Sequence, residues 1–83
     1  MTTGDRIFKQ LQYCLARANT PDLHSFTVDI AGGIAFVEVR PYGEVFIETR
    51  TGNPEKAVQW CGTMIAASNR LEMFGADPDT IRY

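Results

Sequence analysis

The stretch SFTVDIAGGIAFVEVRPYGEVFIETR, residues 25–50, decides the fold, because apolar and polar side chains alternate along it with a period of two. Phe26, Val28 and Ile30 alternate with Thr27, Asp29 and Ala31 until Gly32-Gly33, a pair that tolerates the positive φ of a tight hairpin turn. With those glycines as the turn, Ala31 faces Ile34. Ile30 then pairs with Ala35, Val28 with Val37 and Phe26 with Val39 on one core-directed face. Pro41-Tyr42-Gly43 reads as a three-residue loop with Gly43 in the left-handed position, which sets Val39 opposite Val45 and Val37 opposite Ile47. A two-residue loop would oppose Val37 to Glu48 and mix the faces. The stretch predicts three antiparallel strands at residues 25–31, 34–40 and 44–50.

On the N-terminal side, Ile7, Phe8, Leu11, Cys14, Leu15 and Ala18 follow the spacing of one helix face, with Thr3 as cap and Asn19-Thr20-Pro21 as terminator. A helix over residues 4–19 follows. On the C-terminal side, Asn53 as cap, Pro54 at the first helical position and Glu55 near the positive end of the dipole predict a helix over residues 54–74. Its apolar stripe, from Ala57, Val58, Trp60 and Cys61 through Met64 and Ile65 to Leu71 and Phe74, is wide enough to meet both the sheet and the first helix, with Trp60 packed on the latter. Gly75 and Asp77-Pro78 stop it, leaving residues 76–83 as a tail expected to fray. The expectation is a single α+β domain over residues 1–83, ordered helix, three-stranded meander, helix (αβββα), with both helices on one sheet face.

At 83 residues the chain has room for one core, and domains of this size bury only about 60 to 65% of the surface that their unfolded chains expose. The net charge of −2 gives neither the basic stripe of a nucleic-acid binder nor a dense acidic surface. The N-terminus runs straight into Asp5, Arg6, Lys9 and Gln10, without the apolar stretch of a secretory signal or a membrane span, so a cytoplasmic location is expected. Cys14 and Cys61 both fall on helical stripes and read as buried free thiols of a reducing compartment. The chain shows no repeat, low-complexity run or linker.

The inventory for catalysis is thin, and no catalytic residue is assigned. His24, the one histidine, sits beside Asp22 before the first strand, where a turn-capping or solvated role accounts for it. His24, Cys14 and Cys61 have no metal-ligand spacing, so no metal is expected. Gly32-Gly33 joins two strands, whereas a phosphate loop joins a strand to a helix. Gly52-Asn53-Pro54 lacks a lysine and loses a donor at Pro54, so no cofactor is expected either.

The sheet face turned away from the core is more informative. It displays Thr27, Asp29, Ile34, Phe36, Glu38, Arg40, Glu44, Phe46, Glu48 and Arg50. Two phenylalanines and an isoleucine exceed what a solvated face needs, and aromatics with an acidic rim suggest a protein contact through Ile34, Phe36, Glu38, Arg40, Glu44, Phe46, Glu48 and Arg50. The competing readings are that the tail covers both rings through Ile81 and Tyr83, or that the rings merely suit a strand.

Two resemblances bear on function. From Ile7 to Leu71 the element order is similar to that of the double-stranded RNA-binding domain. Residues His24 to Val28 look like that family's entry to its first strand, and Pro54-Glu55-Lys56-Ala57 like the opening of its last helix. This resemblance implies duplex RNA as a ligand, held by lysines opening the last helix, where this chain has Lys56. In size, mild acidity, one-domain α+β build and lack of active-site residues, the chain also resembles small phage-encoded inhibitors, including anti-CRISPR proteins. That resemblance implies a non-enzymatic protein in the host cytoplasm that occludes a host protein of basic or mixed surface, with Glu38, Glu44 and Glu48 facing it. A further reading is a self-associating structural subunit whose main contact is with itself, and a homodimer is compatible with both; nucleic acid and membrane are not expected partners.

Overall fold

The computed structural model describes residues 1–21 and 23–83; Asp22 lies outside the described residues. Helix α1, Thr3–Ala16, begins one residue before the expected start, because Thr2 and not Thr3 has an acidic residue three positions on. The Thr2 hydroxyl accepts from Asp5 N–H at 3.1 Å, and the Asp5 carboxylate accepts from Thr2 N–H at 3.3 Å. The helix ends at Ala16 rather than residue 19. Beyond it the bonds tighten to three-residue spacing, Ala18 N–H to Leu15 O at 3.2 Å and Thr20 N–H to Arg17 O at 2.9 Å. Ile7, Leu11 and Cys14 are its buried stripe.

Strands β1 (Ser25–Ile30), β2 (Gly33–Val39) and β3 (Val45–Thr51) form the expected meander. The second hairpin has the expected register, Val39 opposite Val45 and Val37 opposite Ile47, and Gly43 is left-handed at φ 84°. The first hairpin does not. Ile30 pairs with Gly33, Val28 with Ala35 and Phe26 with Val37, so the turn is Ala31-Gly32 and the register differs by two residues from the expected one. A shift of two keeps every side chain on its face. Phe26, Val28, Ala35, Val37, Val39, Val45 and Ile47 therefore still build the core.

The largest difference lies beyond β3. The single helix expected over residues 54–74 is three elements: a 3₁₀ turn at Pro54–Lys56, a fourth strand β4 (Gln59–Gly62) and helix α2 (Met64–Met73). Asn53 caps as expected, its side chain accepting from Glu55 N–H at 3.1 Å, but Ala57 turns extended at φ −64°, ψ 136° and the helix stops after one turn. Thr49 explains why the chain then pairs. It is a buried residue of β3 whose hydroxyl accepts from Val58 N–H at 2.8 Å while its own N–H donates to Val58 O at 2.9 Å. Replacing Thr49 by valine is expected to cost about 1–2 kcal/mol in urea unfolding by orphaning Val58 N–H, and serine, which keeps the oxygen, much less. Thr63 then caps α2, accepting from Ala66 N–H at 3.2 Å. The architecture is α+β, a four-stranded antiparallel sheet ordered β1-β2-β3-β4, with Leu11 of α1 and Leu71 of α2 both buried in the core.

Rehousing residues 57–63 corrects two more expectations. Cys14 is a buried free thiol, but Cys61 is exposed, because it sits on β4 opposite Phe46. Trp60 lies on β4, half-buried at the rim of the core with the Arg70 guanidinium of α2 5.6 Å from its ring, rather than on a helix against α1.

The tail is tied down. A 3₁₀ turn at Pro78–Thr80 precedes Arg82, which exchanges backbone hydrogen bonds with Thr27 at 2.8 and 2.9 Å and so closes the outer edge of β1. Arg6 of α1 pairs with Asp79. Tyr83 keeps 53% of its surface exposed, yet its hydroxyl is tucked against α1, where it donates to Gln10 Oε1 near Cys14. Burial of that hydroxyl, and then the neighbouring Cys14 thiol, push Tyr83 up to about 12; burial likewise raises Cys14. In the unfolded chain a tyrosine loses its proton near pH ~10. The folded state holds that proton longer, so this contribution is intact below pH ~10 and is lost as pH rises toward ~12. Tyr83→Phe is expected to fall less steeply in Tm across that window than the wild type.

Candidate functional site

Register sets the outer face in rows. One runs Ser25, Glu38, Phe46, Cys61; the next Thr27, Phe36, Glu48, Gln59; a third Asp29, Ile34, Arg50. Ile34, Phe36, Glu38, Phe46, Glu48 and Arg50 thus share one face, with Arg40 just past the end of β2. Glu44 stands apart in the loop, where its carbonyl accepts from Arg40 N–H at 2.8 Å. Gln59 and Cys61 join the face only because β4 exists.

The two central strands carry the same short pattern, Phe-x-Glu-x-Arg, at 36–40 and 46–50. Antiparallel pairing crosses the copies. The Arg40 guanidinium lies 4.5 Å from the centroid of the Phe46 ring, and that of Arg50 4.9 Å from Phe36. Each arginine also pairs with the glutamate of its own strand, Arg40 Nε to Glu38 Oε1 at 3.2 Å and Arg50 Nε to Glu48 Oε1 at 3.7 Å. At the β1 edge Arg82 meets Asp29 at 3.3 Å. The three arginines of this face are therefore matched by carboxylates, and its local field is weak for its density of charge. The ten-residue recurrence of the pattern was the signal in the sequence for this pseudo-symmetric arrangement, and the reading of the chain as free of repeats missed it.

The tail does not cover the rings. Ile81 packs against the core, and Tyr83 turns toward α1, its ring 5.8 Å from Tyr13 and 6.1 Å from Phe26. Phe36 keeps 39% of its surface exposed. The twisted sheet leaves a groove of about 670 Å³ across the four strands, walled by Thr27, Phe36, Phe46, Gln59 and Cys61 and bounded by Arg82. A shallow, apolar-floored groove with paired charges is suited to holding apolar side chains of a partner.

His24 takes the turn role expected of it, its Nδ1 lying 2.8 Å from Thr20 O and its carbonyl accepting from Val39 N–H at 2.8 Å. The Pro54-Glu55-Lys56-Ala57 segment opens no helix beyond one 3₁₀ turn, so Lys56 does not stand where the RNA-binding resemblance requires it. Among the described residues, no helix is long and apolar enough to cross a membrane. No family model, curated protein or solved structure matches the chain.

Proposed function

We propose that this chain is a non-enzymatic protein-binding module which engages its partner through the outer face of the sheet, acting as a small phage-type inhibitor that occludes a host protein surface in the cytoplasm. The observation that carries the reading is the pair of rings in the groove that the tail leaves open, Phe36 exposed and Phe46 half-buried. Exposed aromatic residues amid paired charges are the composition of an interface centre, where charge without a partner is depleted and aromatic rings and arginine are enriched. The matched arginines also favour a protein over a nucleic acid. Phosphate binding relies on cations free to exchange their counterions, and here the arginines of the face already have carboxylates. Glu44, exposed in the β2–β3 loop and outside these ion pairs, is a carboxylate free to meet a partner of basic or mixed surface.

The test is recovery of a partner from bacterial lysate on the tagged protein, with and without nuclease, comparing wild type with Phe36→Asp/Phe46→Asp. A defined protein that survives nuclease and is absent with the double variant is the expected result. Recovery that nuclease removes would replace this reading with a nucleic-acid one.

A further inference from the structure

The two edges of the sheet are finished differently. On β1 the outward backbone groups are occupied: Thr27 pairs with Arg82, Asp29 O accepts from Asp77 N–H at 3.0 Å, and Asp29 N–H donates to the Thr80 hydroxyl at 2.8 Å. On β4 the bond from Thr49 N–H to Val58 O sets the phase of the ladder. Val58, Trp60 and Gly62 turn their backbone groups to β3, whereas Gln59 and Cys61 turn theirs outward. Among the described residues, no backbone group or side chain bonds to those of Gln59 and Cys61 along that edge. Nor does β4 carry the charge or proline that sheet proteins place on a bare edge; its sequence is Gln59-Trp60-Cys61-Gly62.

From this contrast we infer that the β4 edge pairs with the β4 edge of a second copy, antiparallel about a twofold axis through Trp60, to make one continuous sheet across a homodimer. The axis at Trp60 sets Gln59 opposite Cys61 of the second copy, so each outward N–H meets an outward carbonyl and none is left over. No charge opposes its own kind, because the strand has none. Trp60 meets its equivalent on the core side of the sheet, where side chains of a non-hydrogen-bonded pair come closest. Each indole folds back along its own strand over Gly62, close enough that a Cβ there would lie 2.6 Å from the ring, which points it toward Val58 of the second copy, and it remains partly open to water. The outer-face groove is left uncovered and continues across the axis from Cys61. The dimer and the proposed partner contact therefore stand or fall separately.

The register makes the inference testable by charge. Gln59→Lys/Cys61→Lys sets lysine directly opposite lysine on both sides of the axis, whereas Gln59→Glu/Cys61→Lys sets glutamate opposite lysine. Both positions are solvent-exposed in the monomer, so both variants are expected to fold, with circular dichroism as the check. Sedimentation equilibrium in reducing buffer, from micromolar to millimolar protein, is expected to give a reversible dimer for the wild type. The double-lysine variant should dissociate roughly tenfold more readily, and the glutamate-lysine variant should return to wild-type affinity or better. A wild type that is monomeric throughout, a double-lysine variant that dimerises like the wild type, or a glutamate-lysine variant as weak as the double-lysine one would each overturn the inference. Loss of the dimer in Phe36→Asp/Phe46→Asp but not in the double-lysine variant would also overturn it, by moving the self-contact to the outer face.

Discussion

Gly33→Ala is expected to destabilise the fold by about 3 kcal/mol, a large share of the stability of a domain this small. Gly33 does not supply a turn conformation; it stands in β2 opposite Thr51. A Cβ on it would lie 1.9 Å from the Arg50 carbonyl oxygen and 2.9 Å from the Thr51 α-carbon. Both are backbone atoms of β3, so no rotamer relieves the contact, and the end of the β2–β3 ladder must open instead. Gly32 is the opposite case. It has φ 78° and nothing within 4 Å of its missing Cβ, so alanine there meets only the left-handed penalty of about 1–2 kcal/mol. Urea unfolding of both variants separates the two costs. A Gly33→Ala protein as stable as the wild type would be incompatible with the close approach of the Arg50–Thr51 backbone to Gly33.

That pair of glycines illustrates why much of the fold was legible in the sequence and part was not. Alternation assigns faces, and faces survive a register error of two, so the core of β1, β2 and β3 could be read while the turn was misplaced by one residue. What alternation does not contain is the close approach of another strand's backbone, which is the reason Gly33 is glycine. The missed strand has a different cause. Asn53-Pro54-Glu55 is a true helix start, but local cues set where a helix begins and not how far it runs. Val58 is diverted into the sheet by a buried hydroxyl nine residues earlier, a tertiary contact. Two local signals did oppose one long helix: Gly62 in its interior, costly there by about 1 kcal/mol, and Thr63 as a second cap.

The candidate site was more legible than the C-terminal elements because it depends only on the outward half of the same alternation. Ile34, Phe36, Glu38, Phe46, Glu48 and Arg50 needed no long-range information to be placed together. Their pairing did. Which arginine lies over which ring follows from the antiparallel crossing of two identical patterns, and the groove reaches Cys61 only because β4 extends the sheet. The route of the tail, which decides that the face is open, rests on Thr27, Asp29 and α1 contacts remote in sequence.

Phe36→Asp/Phe46→Asp is expected to weaken partner binding by at least 100-fold. Rings at the centre of an interface each contribute about 2 kcal/mol or more, and roughly 1.4 kcal/mol is tenfold in affinity. The folding cost should be smaller, because neither ring belongs to the core cluster. It comprises two exposed arginine–ring contacts at about 0.5–1 kcal/mol each, and a weaker strand propensity. Aspartate also places carboxylates opposite Glu48 and Glu38, adding repulsion that is unrelated to any partner. Phe36→Thr/Phe46→Thr removes the rings without that charge and keeps a good strand former, so it isolates the aromatic contribution. Isothermal titration of both double variants against the recovered partner, alongside their urea midpoints, separates the two effects. Near-native stability with binding lost in both places the contact on the outer face. Binding kept by the threonine variant and lost only with aspartate would leave charge, and not the rings, as the basis of recognition. Binding kept by both would remove the outer face from the partner contact altogether.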